Sequence, residues 1–161
     1  MSDATFKHND PDDYHERELI LHDCIAEKIL CTNEMLRFCF SGGFWVTPFH
    51  KANDLNKTVR TDAAQVDFHV DEINDVGVYV YAKTFFKKTM VEYWTLKDLV
   101  DAVNSGKCTL EFIYQYRTYF EQMWLCALRS KKKPYYRECQ LHIPGAAATY
   151  RWNELLPDRE R

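Results

Sequence analysis

The chain has 161 residues, 46% of them hydrophobic and 15% aromatic, and a formal net charge of −3. That length suits one domain burying roughly 70% of its unfolded surface, so ordinary stability needs neither a disulfide nor a metal, and the composition is too apolar for disorder. The negative balance weighs against a nucleic-acid partner, because such affinity comes largely from Lys and Arg displacing counterions, while leaving room for a local basic patch.

Residues 1–18 are polar, with the breaker-rich run His8-Asn9-Asp10-Pro11-Asp12-Asp13. They predict a mobile tail outside the folded body. No basic start followed by an apolar run is present, so no leader is expected. No stretch approaches the ~18 consecutive apolar residues of a membrane span. The expected location is cytoplasmic, with no membrane partner. Cys24, Cys31, Cys39, Cys108, Cys126 and Cys139 are then expected as reduced thiols, since they show no C-x-x-C pair and no dense framework.

Residues 19–156 read as a single β-rich domain. Leu19–Cys31 predicts a first strand and Met35–Phe40 a second, with Leu36, Phe38 and Phe40 on one face. Ser41-Gly42-Gly43 supplies a hairpin turn into Phe44-Trp45-Val46. Pro48–Arg60 lacks periodicity and reads as a loop. Val66, Phe68 and Val70 alternate with Asp67, His69 and Asp71, the pattern of a half-buried strand. Val76–Phe86 is apolar on both faces and suits a central strand covered on both sides. Lys87-Lys88 is expected to turn the chain into Met90–Trp94.

Thr95–Ser105 predicts a short helix. Thr95 caps it with Asp98 three residues on, Leu96, Leu99, Val100 and Val103 share a face, and Gly106 ends it. Cys108–Arg129 fits two periods. As a helix it carries a stripe from Phe112 to Leu128; as a hairpin, Leu110, Phe112, Tyr114 and Tyr116 share a face and the chain turns near Arg117-Thr118. Its Tyr, Phe, Thr and Ile favour the hairpin. Tyr135–Ile143 and Ala148–Trp152 read as further strands, and residues 157–161 as a charged, frayed end. The predicted fold class is mostly β, or α+β should 108–129 be helical. The sheet is largely antiparallel, a sandwich or a curved or partial barrel, with one short helix near 95–105.

Three constellations carry candidate chemistry. Asp67-x-His69-x-Asp71 is metal-like, but alternate strand residues stand ~7 Å apart, so convergence needs a bend and a further ligand from His22, Asp23, His50 or His142. Otherwise the three form the wet face of a strand. Arg129, Lys131, Lys132, Lys133, Tyr135, Tyr136 and Arg137 place cations beside aromatics, which suits an acidic protein partner and, less well given the net charge, stacked bases. Tyr79, Tyr81, Phe112 and Trp124 are the aromatics that would line a barrel pocket for a small apolar ligand. No nucleophile elbow, phosphate loop or dinucleotide motif occurs, and no cofactor is expected. The cysteines fall within apolar alternation, where a buried, inert thiol is the common outcome. The expected function is a non-enzymatic protein-binding module, for instance an inhibitor or immunity-type protein. The alternatives are a small metal-assisted hydrolase and a β-barrel holding an apolar ligand.

Overall fold

The computed structural model describes residues 5–12, 18–83, 89–145 and 147–161. Its strands form three antiparallel sheets, and none closes into a barrel. The five-stranded sheet runs β1 (His8–Asp12), β14 (Ala148–Trp152), β8 (Ala64–His69), β5 (Met35–Phe40), β4 (Lys28–Thr32). The six-stranded sheet runs β10 (Thr89–Trp94), β9 (Gly77–Lys83), β13 (Tyr136–Pro144), β12 (Glu121–Ser130), β11 (Cys108–Arg117), β3 (Cys24–Ala26). A small sheet joins β15 (Leu155–Glu160), β7 (Val59–Thr61), β6 (Trp45–Val46) and β2 (Leu19–Ile20). The fold is the β-rich domain with one short helix that the alternation predicts.

The two large sheets pack face to face through aromatic side chains. Phe38 of the first meets Phe112 of the second edge-on at 5.1 Å between centroids, and Phe68 meets Trp124 at 6.1 Å. Such contacts add about 0.5–1.5 kcal/mol each to the burial of the rings. The helix α1 (Leu96–Asn104) spans the side of this sandwich and touches β4, β9, β10 and β11. Thr95 and Asp98 form a reciprocal capping box at its start, and Leu99 and Val103 are buried beneath it. Its last residue, Asn104, donates to the Ile29 carbonyl and accepts from the Ile29 amide, both at 2.8 Å. One side-chain amide thereby takes the place of a neighbouring strand on β4.

Several expectations change. The first predicted strand is divided among all three sheets: Asp23, with a positive φ of 61°, breaks it between β2 and β3, and at Glu27, whose amide donates to the Cys39 carbonyl, the chain crosses from β3 to β4. Asp tolerates that left-handed conformation better than most residues. The turn after Phe40 forms, but the chain leaves for the small sheet instead of pairing back on β5. Gly43 is needed there: with φ at 70°, a Cβ would stand 2.3 Å from the Thr61 carbonyl oxygen. Residues 8–12, expected in a tail, pair with β14 in register from His8–Trp152 to Asp12–Ala148. The charged end also pairs, β15 joining β7, with the Arg161 amide donating to the Thr58 carbonyl. Residues 108–129 form the hairpin, not the helix. The Lys87-Lys88 turn lies outside the described residues.

Candidate functional site

The basic–aromatic segment forms the hairpin between β12 and β13. The Ser130 amide donates to the Tyr135 carbonyl at 2.9 Å and closes the loop. Lys131, Lys132 and Lys133 are exposed at its tip, as are Tyr135 and Tyr136. The two arginines have work within the fold. Arg129 pairs with Glu111 and lies over the Tyr136 ring at 5.8 Å. Arg137 lies over the Trp94 ring at 4.8 Å. Sheet register adds two cations to the same end: Lys83 closes β9, and Lys107 precedes Cys108, which faces Ser130. These five lysines are exposed, and no ion pair ties any of them to another described residue.

The outer face of the six-stranded sheet adjoins this end. One row across it reads Tyr93, Tyr79, Gln140, Leu125, Tyr114; the next reads Val91, Tyr81, Glu138, Ala127, Glu111. Tyr93 is 80% exposed, Tyr114 56% and Tyr116 55%. A β-bulge at Ile113 puts the last two there. Phe112 faces Cys126 and Tyr114 faces Leu125, so one extra residue reverses the alternation. Leu110 and Phe112 point into the core, Tyr114 and Tyr116 point out, and the shared face expected for all four is broken. His22 fixes the bulge: its Nδ1 donates to the Ile113 carbonyl at 2.5 Å, and its ring lies 5.5 Å from that of Tyr114. Strict alternation hides this face; the sole hint in the sequence is a run too aromatic for a single buried side.

The metal-like triplet does not converge. Asp67 lies on the outer face of its strand but is only 1% exposed, because two arginines cover it. Arg37 donates to both its carboxylate oxygens, at 2.6 and 2.9 Å, and Arg151 donates to one of them. Burial pushes the Asp67 carboxyl up, but the hydrogen bonds from the two guanidiniums outweigh it and hold the group below the usual carboxylate value. His69 Nε2 bonds to Thr149 Oγ1 at 2.8 Å, and Asp71 is exposed. Among the described residues, no group of three His, Cys, Asp or Glu is gathered for a metal ion. The candidate further ligands His22, His50 and His142 lie elsewhere, on Ile113, Ala52 and Glu121.

The apolar-ligand aromatics do not share a cavity. Phe112 and Trp124 pack edge-on at 5.0 Å inside the core. Tyr79 lines an open groove of about 620 Å³ beside Trp94 and the start of α1, and Tyr81 a separate cleft with Pro134 and Tyr136. The thiols are poorly suited to nucleophilic work: burial pushes Cys24 and Cys139 up to about 12 and Cys126 well above its ordinary value.

One buried cluster escapes sequence reasoning. His8 stacks on Trp152 at 4.5 Å, and the His50 ring meets the same indole edge-on at 5.5 Å. His50 Nε2 stands 3.6 Å from Asp10, which also pairs with Lys51 at 3.0 Å. His50 Nδ1 accepts from the Ala52 amide, which leaves Nε2 to carry the proton toward Asp10. Burial lowers the pKa of His50, against the opposing pull of Asp10. This arrangement clasps β1 to the body of the fold. Among the described residues, no helix is long and apolar enough to cross a membrane. No family model, curated protein or solved structure matches the chain, so the reading of its site rests on its own geometry.

Proposed function

We propose that the chain is a non-enzymatic protein-binding module, which meets an acidic partner with the lysine-bearing end of its six-stranded sheet and the adjoining tyrosine face. The observation that carries this reading is the β12–β13 hairpin, with Lys131, Lys132 and Lys133 exposed beside Tyr135 and Tyr136. Lysines without local counter-ions raise the rate of encounter with an opposite charge, and tyrosines bury large area at low cost in side-chain freedom. A small inhibitor or immunity-type protein is one form such a module takes. The net charge of −3 favours a protein over a nucleic acid. Six free thiols fit a reducing compartment, and the cytoplasm is the proposed location.

The test is capture from the native host's lysate by the tagged full chain, at low and at moderate salt, against a K131E/K132E/K133E variant. One protein retained stoichiometrically by the wild type and lost by the variant supports the reading. Retention that is equal for both, or nothing specific at either salt, discards it.

A further inference from the structure

The sheet edges are treated unequally. On the five-stranded sheet, β4 has the Ile29 amide and carbonyl taken up by Asn104, and β1 is interrupted by Pro11, which has no N–H to offer. In the small sheet, β2 is two residues long and β15 contains Pro157. In the six-stranded sheet, β3 is three residues long. These are familiar ways of blunting an edge against pairing with another chain. The sixth edge, β10, has none of them. Its six residues, Thr89-Met90-Val91-Glu92-Tyr93-Trp94, contain no Pro, Gly or Lys. Among the described residues, no strand pairs with its outer side. Met90 on one face and Val91 and Tyr93 on the other are all exposed, and only Trp94, at the strand's end, packs against the core.

We propose that β10 pairs with β10 of a second copy of this chain, antiparallel about a two-fold axis normal to the sheet, giving one continuous twelve-stranded sheet per dimer. A two-fold of that kind keeps the outer faces on one side, so residues of equal parity face each other. With Val91 opposite its own copy, Glu92 faces Met90 and Thr89 faces Tyr93, and no like charges meet. The charge layout favours the same arrangement. Lys83, Lys131, Lys132 and Lys133 lie at one end of the sheet; Asp71, Glu72 and Asp75 precede β9 at the other, all exposed. Antiparallel apposition sets the basic end of one copy beside the acidic end of its mate, whereas a parallel one would set like beside like. The pairing also joins the Tyr79, Tyr81, Val91 and Tyr93 patches of two copies into a single band. The contact itself is made by the β10 edge, and the lysine-bearing end contributes only to its polarity, so the dimer forms whether or not that end also meets the protein partner proposed above.

The test is sedimentation velocity on the full chain from micromolar to near-millimolar concentration, for the wild type and for V91K/Y93K, which places two charges on the exposed strand. The wild type should pass from a 19.2 kDa monomer to a dimer. The variant should associate about tenfold or more weakly. Because the variant could be disturbed in fold, amide hydrogen exchange on the wild type is read in parallel, at concentrations below and within the dimer range. Protection gained at residues 89–94 supports the pairing. A wild type that stays monomeric overturns it, as does a dimer that forms without protecting 89–94 or that a folded V91K/Y93K forms equally well. Protection of 89–94 by another protein's strand in a monomeric wild type also overturns it, by giving the edge a different occupant.

Discussion

On the outer face of the five-stranded sheet, Arg37, Asp67, Arg151 and Asn9 satisfy one another: Arg37 and Arg151 converge on Asp67, and Arg151 also donates to Asn9 at 2.9 Å. On the outer face of the six-stranded sheet, Tyr93, Tyr114 and Tyr116 are exposed instead, with Tyr79 and Tyr81 half-buried beside them. Both faces belong to antiparallel strands, and both cover the same core from opposite sides. The first is closed by its own polar groups and has little left to offer a partner. The second presents tyrosine rings among Gln140, Glu138 and Glu111, and those rings are held by strands that need no further support. A face that is expensive to disturb is built for stability, and one that is cheap to disturb is free for recognition.

That contrast breaks most sharply at Asp67. D67N removes the charge that two guanidiniums share in a buried setting, and should cost about 3 kcal/mol or more in urea unfolding. A loss below about 1 kcal/mol would show the closed face to be ordinary surface. Because the folded Asp67 carboxyl lies below its usual value, the clamp contributes fully above the unfolded pKa of ~3.9. The contribution then disappears as pH falls through the folded value. D67N should therefore flatten the acid limb of the stability profile.

The next largest effect concerns the capped edge. N104A strips the Ile29 amide and carbonyl of their partner and should cost about 1–3 kcal/mol. Exchange at the Ile29 amide should rise with it; an unchanged rate would mean that α1 does not protect β4. At neutral to mildly acid pH, His50 makes a smaller contribution. Its folded pKa is lowered, so stability is complete above ~6.5 and declines as pH falls toward the folded value, where the unfolded chain binds the proton more readily. H50F, which keeps the ring on Trp152 without a titrating group, should remove that decline in pH-dependent thermal melts. The smallest effect belongs to the open face. Y114S/Y116S should change stability by about 0.5 kcal/mol per site or less, because both side chains are more than half exposed. A larger loss would mean that the tyrosine face is structural after all.

Alternation and capping made much of the fold legible. Met35–Phe40, Thr95–Asn104 and Ala148–Trp152 are found where their periodicity puts them, because each obeys one local rule from end to end. The failures share a physical cause, a local pattern overruled by a distant partner or by a single irregular residue. Residues 8–12 are polar and hold a proline, yet Trp152, His50 and Lys51 give them somewhere to bind. Asp67 sits at a position of the strand pattern that promises solvent, and only Arg37 and Arg151, far away in sequence, explain its burial. The turn of the β11–β12 hairpin carries neither Gly nor Asn. Thr118 makes it, its hydroxyl accepting from the amides of Phe120 and Glu121. The basic hairpin was readable from Lys131–Lys133 alone; the tyrosine face was not, because it depends on one bulge.

The pairing of β1 with β14 also bears on how the protein is made. His8 lies opposite Trp152, Cys24 opposite Phe112, and Leu155 opposite Thr61, so each sheet is stitched from segments far apart along the chain. A ribosome releasing this chain from its N-terminus would expose the apolar strands of both large sheets well before their last neighbours emerge. Topologies dominated by such remote contacts fold on the millisecond-to-second scale, slowly among domains of similar stability. The growing chain thus holds Phe38, Phe40 and Phe68 uncovered until Phe112 and Trp124 arrive to pack on them, and Phe44 waits longer still, for the strand carrying Tyr150 and Trp152.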